Sequence, residues 1–207
     1  MKRLPNIIVT GVPGVGKTTL CEELVSLINK ELIGIKEDTN VEKNTREAIK
    51  EATEVLAMVH LNLSKVIKEE RLYEEYDDEL DATIYDEDMV NEKLTSLEVE
   101  KGGFIFDFHD INFIIHKKKI IDHIFLLTAS TNSLYDRLEK RNYTQEKIKN
   151  NIECEIFQTI KEDILEHFDD PTIFHELENN TLQQHEHNLD FVKKWVLANV
   201  RGVEKSG

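Results

Sequence analysis

The sequence predicts an α/β fold in which a parallel sheet carries helices on both faces. Three observations support this. Short apolar, β-branched runs recur along the chain, separated by segments of helical periodicity. The first run ends in a glycine-rich turn that opens directly into a helical pattern. The 207 residues suit one domain with a sizeable core.

Taken in order, "NIIVT" (6–10) reads as a buried first strand. Residues 17–30 then carry Leu20, Leu24, Leu27 and Ile28 at helical spacing. Residues 31–61 are the least regular. Ala48, Ile49, Ala52, Val55 and Leu56 form one helical stripe there, which fits a packing helix or a partner-docking insertion. "MVHLNL" (58–63) reads as a short strand after it. "FIFDF" (104–108) follows the Gly102-Gly103 break and is the second clear strand. "HIFLL" (123–127) is the third, and "TIFHEL" (172–177), after Pro171, the fourth. Helical patterns fill roughly 86–101, 131–141, 145–168 and 184–199. No internal repeat or Gly/Ser linker divides the chain.

The formal net charge is −15. A broad nucleic-acid face needs clustered Lys and Arg to neutralise phosphates, so none is expected; a local basic site or docking to a basic partner remains compatible. Cys21 and Cys154 lie too far apart in sequence for a metal-binding spacing and read as reduced thiols. The N-terminus lacks the pattern of a signal peptide, and no stretch is expected to span a bilayer.

The strongest signal is "GVPGVGKTT" (11–19). Gly11, Gly16, Lys17 and Thr18 fit G-x-x-x-x-G-K-[ST] between a strand and a helix. Glycines let the backbone approach phosphate, and successive N–H groups with the helix N-terminus form an anion nest. Lys17 can reach the β- and γ-phosphates, and the Thr18 hydroxyl can ligate Mg²⁺. The pattern favours a nucleoside triphosphate over a dinucleotide.

Asp107 ends the apolar run "FIFD", where the crevice of an open α/β sheet lies, and an apolar strand ending in Asp suits a magnesium-holding carboxylate. His109, two residues on, points to the same side, where an imidazole could orient water or an acceptor, or could be structural. Arg137 and Arg141 are four apart on a predicted helix, suited to stabilising a transferring phosphoryl group or to surface pairing with Asp136 and Glu139. Residues 69–92 hold twelve acids interleaved with Tyr73, Tyr76 and Tyr85. Such a segment fits a solvated arm or a surface for a basic partner.

Four blocks, "PNIIVTGVPGVGKTT", "RLYEEYDDELDATIYDEDMV", "GGFIFDFH" and "LYDRLEKRNYTQEKIKNNIECEIFQ", resemble the adenylate kinase isoenzyme 6 family. The resemblance spans most of the chain outside 31–57 and the region after 168. It implies a three-layer P-loop NTPase fold of the nucleoside monophosphate kinase kind in a single domain, 1–207. A monophosphate-binding segment would lie at about 62–85, a short lid at about 140–150, and an insertion at about 31–57. It implies ATP binding by Gly11, Gly14, Gly16, Lys17, Thr18, Thr19 and Arg141, with Mg²⁺ held by Thr18 and Asp107. It implies AMP binding by Asn62, Lys68 and His109, and catalysis by Lys17, His109, Arg137 and Arg141. It also implies a basic small-subunit ribosomal protein as partner, in nucleus and/or cytoplasm.

The chain departs from the family's usual text. "NLSKVIKEE" (62–70) places Ser64 and Lys65 where the family has Gly and Asp, and Lys68 where an arginine would hold the monophosphate. Lysine keeps the charge but loses the bidentate fork. The stretch 110–122 is also longer and more basic than usual. Two functions follow: an adenylate kinase making two ADP from MgATP and AMP, or mainly a regulatory ATPase of ribosome assembly. A kinase of a small alcohol shares the phosphate loop but not the other blocks.

Overall fold

The computed structural model describes residues 4–38, 57–77 and 82–201. The helical stripe expected at Ala48–Leu56 lies outside them. Seven strands are present among the described residues: β1 (Ile7–Thr10), β2 (Val59–Asn62), β3 (Tyr73–Asp77), β4 (Ala82–Tyr85), β5 (Phe104–Asp107), β6 (His123–Thr128) and β7 (Phe174–Glu178). The helices are α1 (Lys17–Asp38), α2 (Leu63–Glu70), α3 (Glu87–Ser96), α4 (Thr131–Lys140), α5 (Gln145–Ile156), α6 (Thr159–His167) and α7 (Leu182–Arg201). Short 3₁₀ turns occupy Val99–Lys101, Asn112–Ile120 and Pro171–Ile173.

Five strands form an all-parallel sheet in the order β2-β5-β1-β6-β7. Parallel neighbours need crossovers, and helices supply them on both faces. Because side chains alternate, each strand feeds two cores. Ile7, Val9, Ile105, Phe125 and Leu127 pack on one face against Leu20, Leu24 and Ile28 of α1 and Val192 and Val196 of α7. Ile8, Phe106, Ile124 and Leu126 pack on the other against Leu63 and Ile67 of α2, Val90 and Leu94 of α3, and Ile164 of α6. The result is the three-layer arrangement expected from the sequence.

Two asparagines tie the layers at the start of the strands. Asn6, fully buried, donates from Nδ2 to Val99 O and accepts from Phe104 N, joining the approach to β1 to that of β5. Asn29 of α1 accepts from Met58 N at 2.8 Å and donates to Met58 O at 3.0 Å, which fixes where β2 begins.

Two features differ from the expectation. The acidic stretch contains an antiparallel hairpin, β3–β4, with register irregularity between Tyr73 and Glu75. Its Tyr85 hydroxyl donates to Asp110 at 2.9 Å and its ring packs edge-on against Phe108 at 5.6 Å. The expected helix 145–168 is two helices, because Gln158 takes a left-handed φ of 53° between α5 and α6.

Candidate functional site

β1, β5 and β2 present their C-terminal ends to one crevice, which is where an open α/β sheet binds ligands. Register sets the partners: Val9 and Asn62 both lie opposite Asp107. The turn after β1 wraps over this point and feeds α1. Gly11 (φ 137°) is required there, since a Cβ would sit 2.3 Å from Leu127 O. Gly16 (φ 104°) is required too, because a Cβ would meet Asn179 Nδ2 at 2.5 Å.

The cleft encloses about 190 Å³ and is lined by Pro13, Gly14, Gly16, Lys17, Thr18, Thr19, Asn62, Ser64, Asp107, His109, Arg141 and Tyr143. It therefore brings together most residues expected from the sequence, drawn from four separate stretches. A second cavity, about 310 Å³, lies beyond β6 and β7 and is lined by residues such as Thr128, Cys154, Glu155 and Glu176.

Lys17 Nζ donates to Gly11 O at 2.7 Å and Val12 O at 3.1 Å. Burial lowers its pKa from 10.5 to about 8, partly opposed by Asp107. The ammonium is thus poorly solvated and primed to take an anionic oxygen. Thr18 Oγ1 donates to Asp107 Oδ2 at 2.7 Å. The same oxygen accepts Asn62 Nδ2 at 2.9 Å and lies 3.2 Å from His60 Nε2. A hydroxyl and a carboxylate side by side are hard oxygen donors, the set that Mg²⁺ takes, so the residues present fit that ion.

Asn62 also caps α2, accepting from Lys65 N at 3.0 Å. It links the helix to the carboxylate as well as lining the cleft. His109 sits at the mouth of the cleft with an exposed edge, its ring 4.3 Å from that of Phe108. Packing around the ring and the nearby Lys17 lower its pKa from 6.5 to about 4, a shift tempered by solvent at the exposed edge. At neutral pH the imidazole is therefore uncharged.

Three expected residues stand elsewhere, and the first, Gly11, shapes the turn and accepts from Lys17 without lining the cleft. Arg137 does not line the cleft. It donates to Gly14 O at 3.3 Å, Asn179 O at 2.8 Å and Asn180 O at 2.9 Å. The four-residue spacing fails to put it beside Arg141 in the cleft because α4 ends at Lys140 and Arg141 is its C-cap. Arg137 is a brace for the phosphate loop, reinforced by Asn179 Nδ2 donating to Val15 O at 2.7 Å. Lys68 lies exposed in the last turn of α2, outside the cleft lining. Ser64, from that helix's first turn, lines it instead.

His60 was not singled out from the sequence, yet it contacts Asp107. The signal was present: residues 60 and 62 alternate with buried Leu61 on a strand and must face one side. Asn179 gave no comparable signal, since its role depends on a contact 164 residues away in sequence.

Comparisons with known proteins agree with this layout. Residues 7–158 match the family model described as an AAA domain. An adenylate kinase isoenzyme 6 homolog of Plasmodium falciparum is 59% identical over 198 residues, covering 95% of this chain and 98% of its own. The homolog HBR1 of Candida albicans is 34% identical over 93% of this chain and 68% of its own. A solved shikimate kinase from Bacteroides thetaiotaomicron aligns over 93% of this chain and 98% of its own, at a TM-score of 0.49 and 12% identity. That likeness is too distant to bear on the activity. Identity of this extent over nearly the whole chain places the protein in the adenylate kinase isoenzyme 6 family, a family of nucleotide-kinase type.

Proposed function

We propose that the chain transfers the γ-phosphoryl group of MgATP to AMP and, without acceptor, to water. The observation that carries this is the convergence of Lys17, Thr18, Asp107, His109 and Arg141 on one small cleft at the crevice of the sheet. Phosphoryl transfer needs positioning and charge neutralisation more than covalent chemistry. The nest at Gly14–Thr19 holds the phosphates, and Lys17 and Arg141 stabilise negative charge on the transferring group. A phosphate oxygen of AMP attacks the γ-phosphorus as its bond to the ADP oxygen breaks. Thr18 and Asp107 would hold Mg²⁺, which supplies charge neutralisation on the phosphates. Neutral His109 can accept a hydrogen bond from an acceptor group or water at the cleft mouth. Tyr143 and Arg141, at the short lid, close the opposite wall and limit water.

The second reading, mainly a regulatory ATPase, is favoured by one observation. Lys68, which by the family resemblance takes the place of an arginine that would hold the monophosphate, stands outside the cleft. In that reading a basic small-subunit ribosomal protein would dock on the acidic hairpin region, where Glu74, Glu75, Glu87 and Asp88 are exposed.

Incubation with MgATP, with and without AMP, separates the two. AMP-dependent ADP formation with little free phosphate supports the kinase. Phosphate release unaffected by AMP rejects it. Chelation of Mg²⁺ should abolish both activities.

A further inference from the structure

Next to the cleft, Asp107 meets donors for a second kind of cation. Cys21 Sγ, an imidazole nitrogen of His60 and a carboxylate oxygen of Asp107 all lie within 4.8 Å of one another. They come from three elements: α1, the edge strand β2 and the central strand β5. Cys21 and Asp107 are buried, and the His60 side chain is only 15% exposed. The two cysteines, unpromising as a sequence pattern, are thus unlike: Cys21 joins this cluster, whereas Cys154 is exposed on α5.

The spacing suits a tetrahedral ion. With metal–ligand bonds of about 2.0–2.3 Å, tetrahedral donors sit roughly 3.3–3.7 Å apart. His60 Nε2 and Asp107 Oδ2 already stand 3.2 Å apart. The remaining closure, at most about 1.5 Å, is within reach of a side-chain torsion adjustment of the cysteine. The donor types also discriminate. Mg²⁺ takes oxygen ligands, while sulfur and imidazole nitrogen select borderline-soft ions such as Zn²⁺.

We propose that Cys21, His60 and Asp107 form a Zn²⁺ site that withdraws Asp107 from Mg²⁺ and so inhibits phosphoryl transfer. Coordination replaces the Cys21 thiol proton, which leaves to solvent, and no electron is transferred. Three protein ligands leave a fourth position for water or a phosphate oxygen. Because Asp107 belongs to both cation sites, occupation by one ion excludes the other. Binding of Zn²⁺ stands on the ligand geometry alone; only the inhibition rests on the proposed function.

Co²⁺ is the probe, because its bonds to thiolate absorb in the near ultraviolet and its tetrahedral complexes absorb strongly in the visible. The full chain should bind one Co²⁺ with both signatures, and Zn²⁺ should displace it. Cys154→Ser should keep the spectrum and Cys21→Ala should lose the thiolate band. His60→Gln should weaken Co²⁺ binding by more than about tenfold. A wild-type protein without the thiolate band, or a band that survives Cys21→Ala, overturns the site. If Cys21→Ala does not fold, His60→Gln at the sheet edge decides, and unchanged Co²⁺ affinity there overturns the site. In turnover assays with excess Mg²⁺, Zn²⁺ should inhibit the wild type and Cys154→Ser, and inhibition of Cys21→Ala should need at least about tenfold more Zn²⁺. Equal zinc sensitivity of wild type and Cys21→Ala overturns the inhibitory role. A cobalt spectrum without turnover rejects the proposed function while supporting the site, and turnover without the spectrum rejects the site alone.

Discussion

Asp107 concentrates the chemistry of the cleft on one carboxylate oxygen, which takes a hydroxyl from α1 and an amide and an imidazole from β2. Around it, single substitutions should separate charge, water and support. Lys17→Ala should lower turnover by about 10³-fold, because it leaves Arg141 alone to stabilise the transferring charge; a loss below tenfold in steady-state assays would reject that role. His109→Ala should reduce phosphate release by about 10²-fold and AMP-dependent ADP formation less, if the neutral ring orients water. Equal losses in both reactions would remove the water-orienting role. Arg137→Ala should act differently, through support. It leaves three carbonyls without their donor, so stability should fall by about 2 kcal/mol in urea titrations, with KM for ATP rising more than kcat falls. A kcat loss at unchanged stability would instead make Arg137 a clamp on the phosphoryl group.

At the scale of elements, backbone strain marks where helices stop. Arg71 takes a left-handed φ of 57° at the end of α2, and Leu72 N returns to Ile67 O at 2.9 Å. Glycine is the residue this kind of ending favours. Arg71→Gly should therefore raise the melting temperature, by about 1 kcal/mol of stability, with activity little changed. A lower melting temperature would show that the arginine side chain outweighs its backbone cost. The elements legible in the sequence were those whose burial is written in composition. β1, β5 and β6 are apolar runs because helices cover both their faces. The β3–β4 hairpin was not legible, since Tyr73-Glu74-Glu75-Tyr76-Asp77 lacks an apolar alternation and is rich in poor strand formers. The break at Gln158 was hidden for a related reason: the helical period continues across it while one residue reverses its φ. In the cleft, the glycines, Lys17, Thr18 and Asp107 carry their chemistry in local spacing. His60 and the bracing of Arg137 depend on register and on a helix end, which spacing alone does not fix.

Across the whole molecule, one buried pair links stability to acidity. His123 at the start of β6 is 4% exposed, stacks on Trp195 and lies with Nε2 2.6 Å from His175 Nδ1. Burial and the neighbouring His175 lower its pKa from 6.5 to about 4, against a raising influence from Asp170. The folded state therefore binds fewer protons than the unfolded chain between those values. Stability from this group is complete above pH 6.5 and is lost as pH falls through about 4, with an upper limit of about 3 kcal/mol. Urea unfolding at pH 7, 5.5 and 4.5 should show the decline, and His123→Phe should make it shallower; an unchanged slope would place the acid sensitivity elsewhere. The Asn29–Met58 clamp acts at the same scale. By holding both polar groups of one backbone residue from α1, it sets the starting point of β2. Asn29→Ala would therefore free the start of β2 to slip along β5 and carry Asn62 out of register with Asp107, so turnover would fall although Asn29 does not line the cleft.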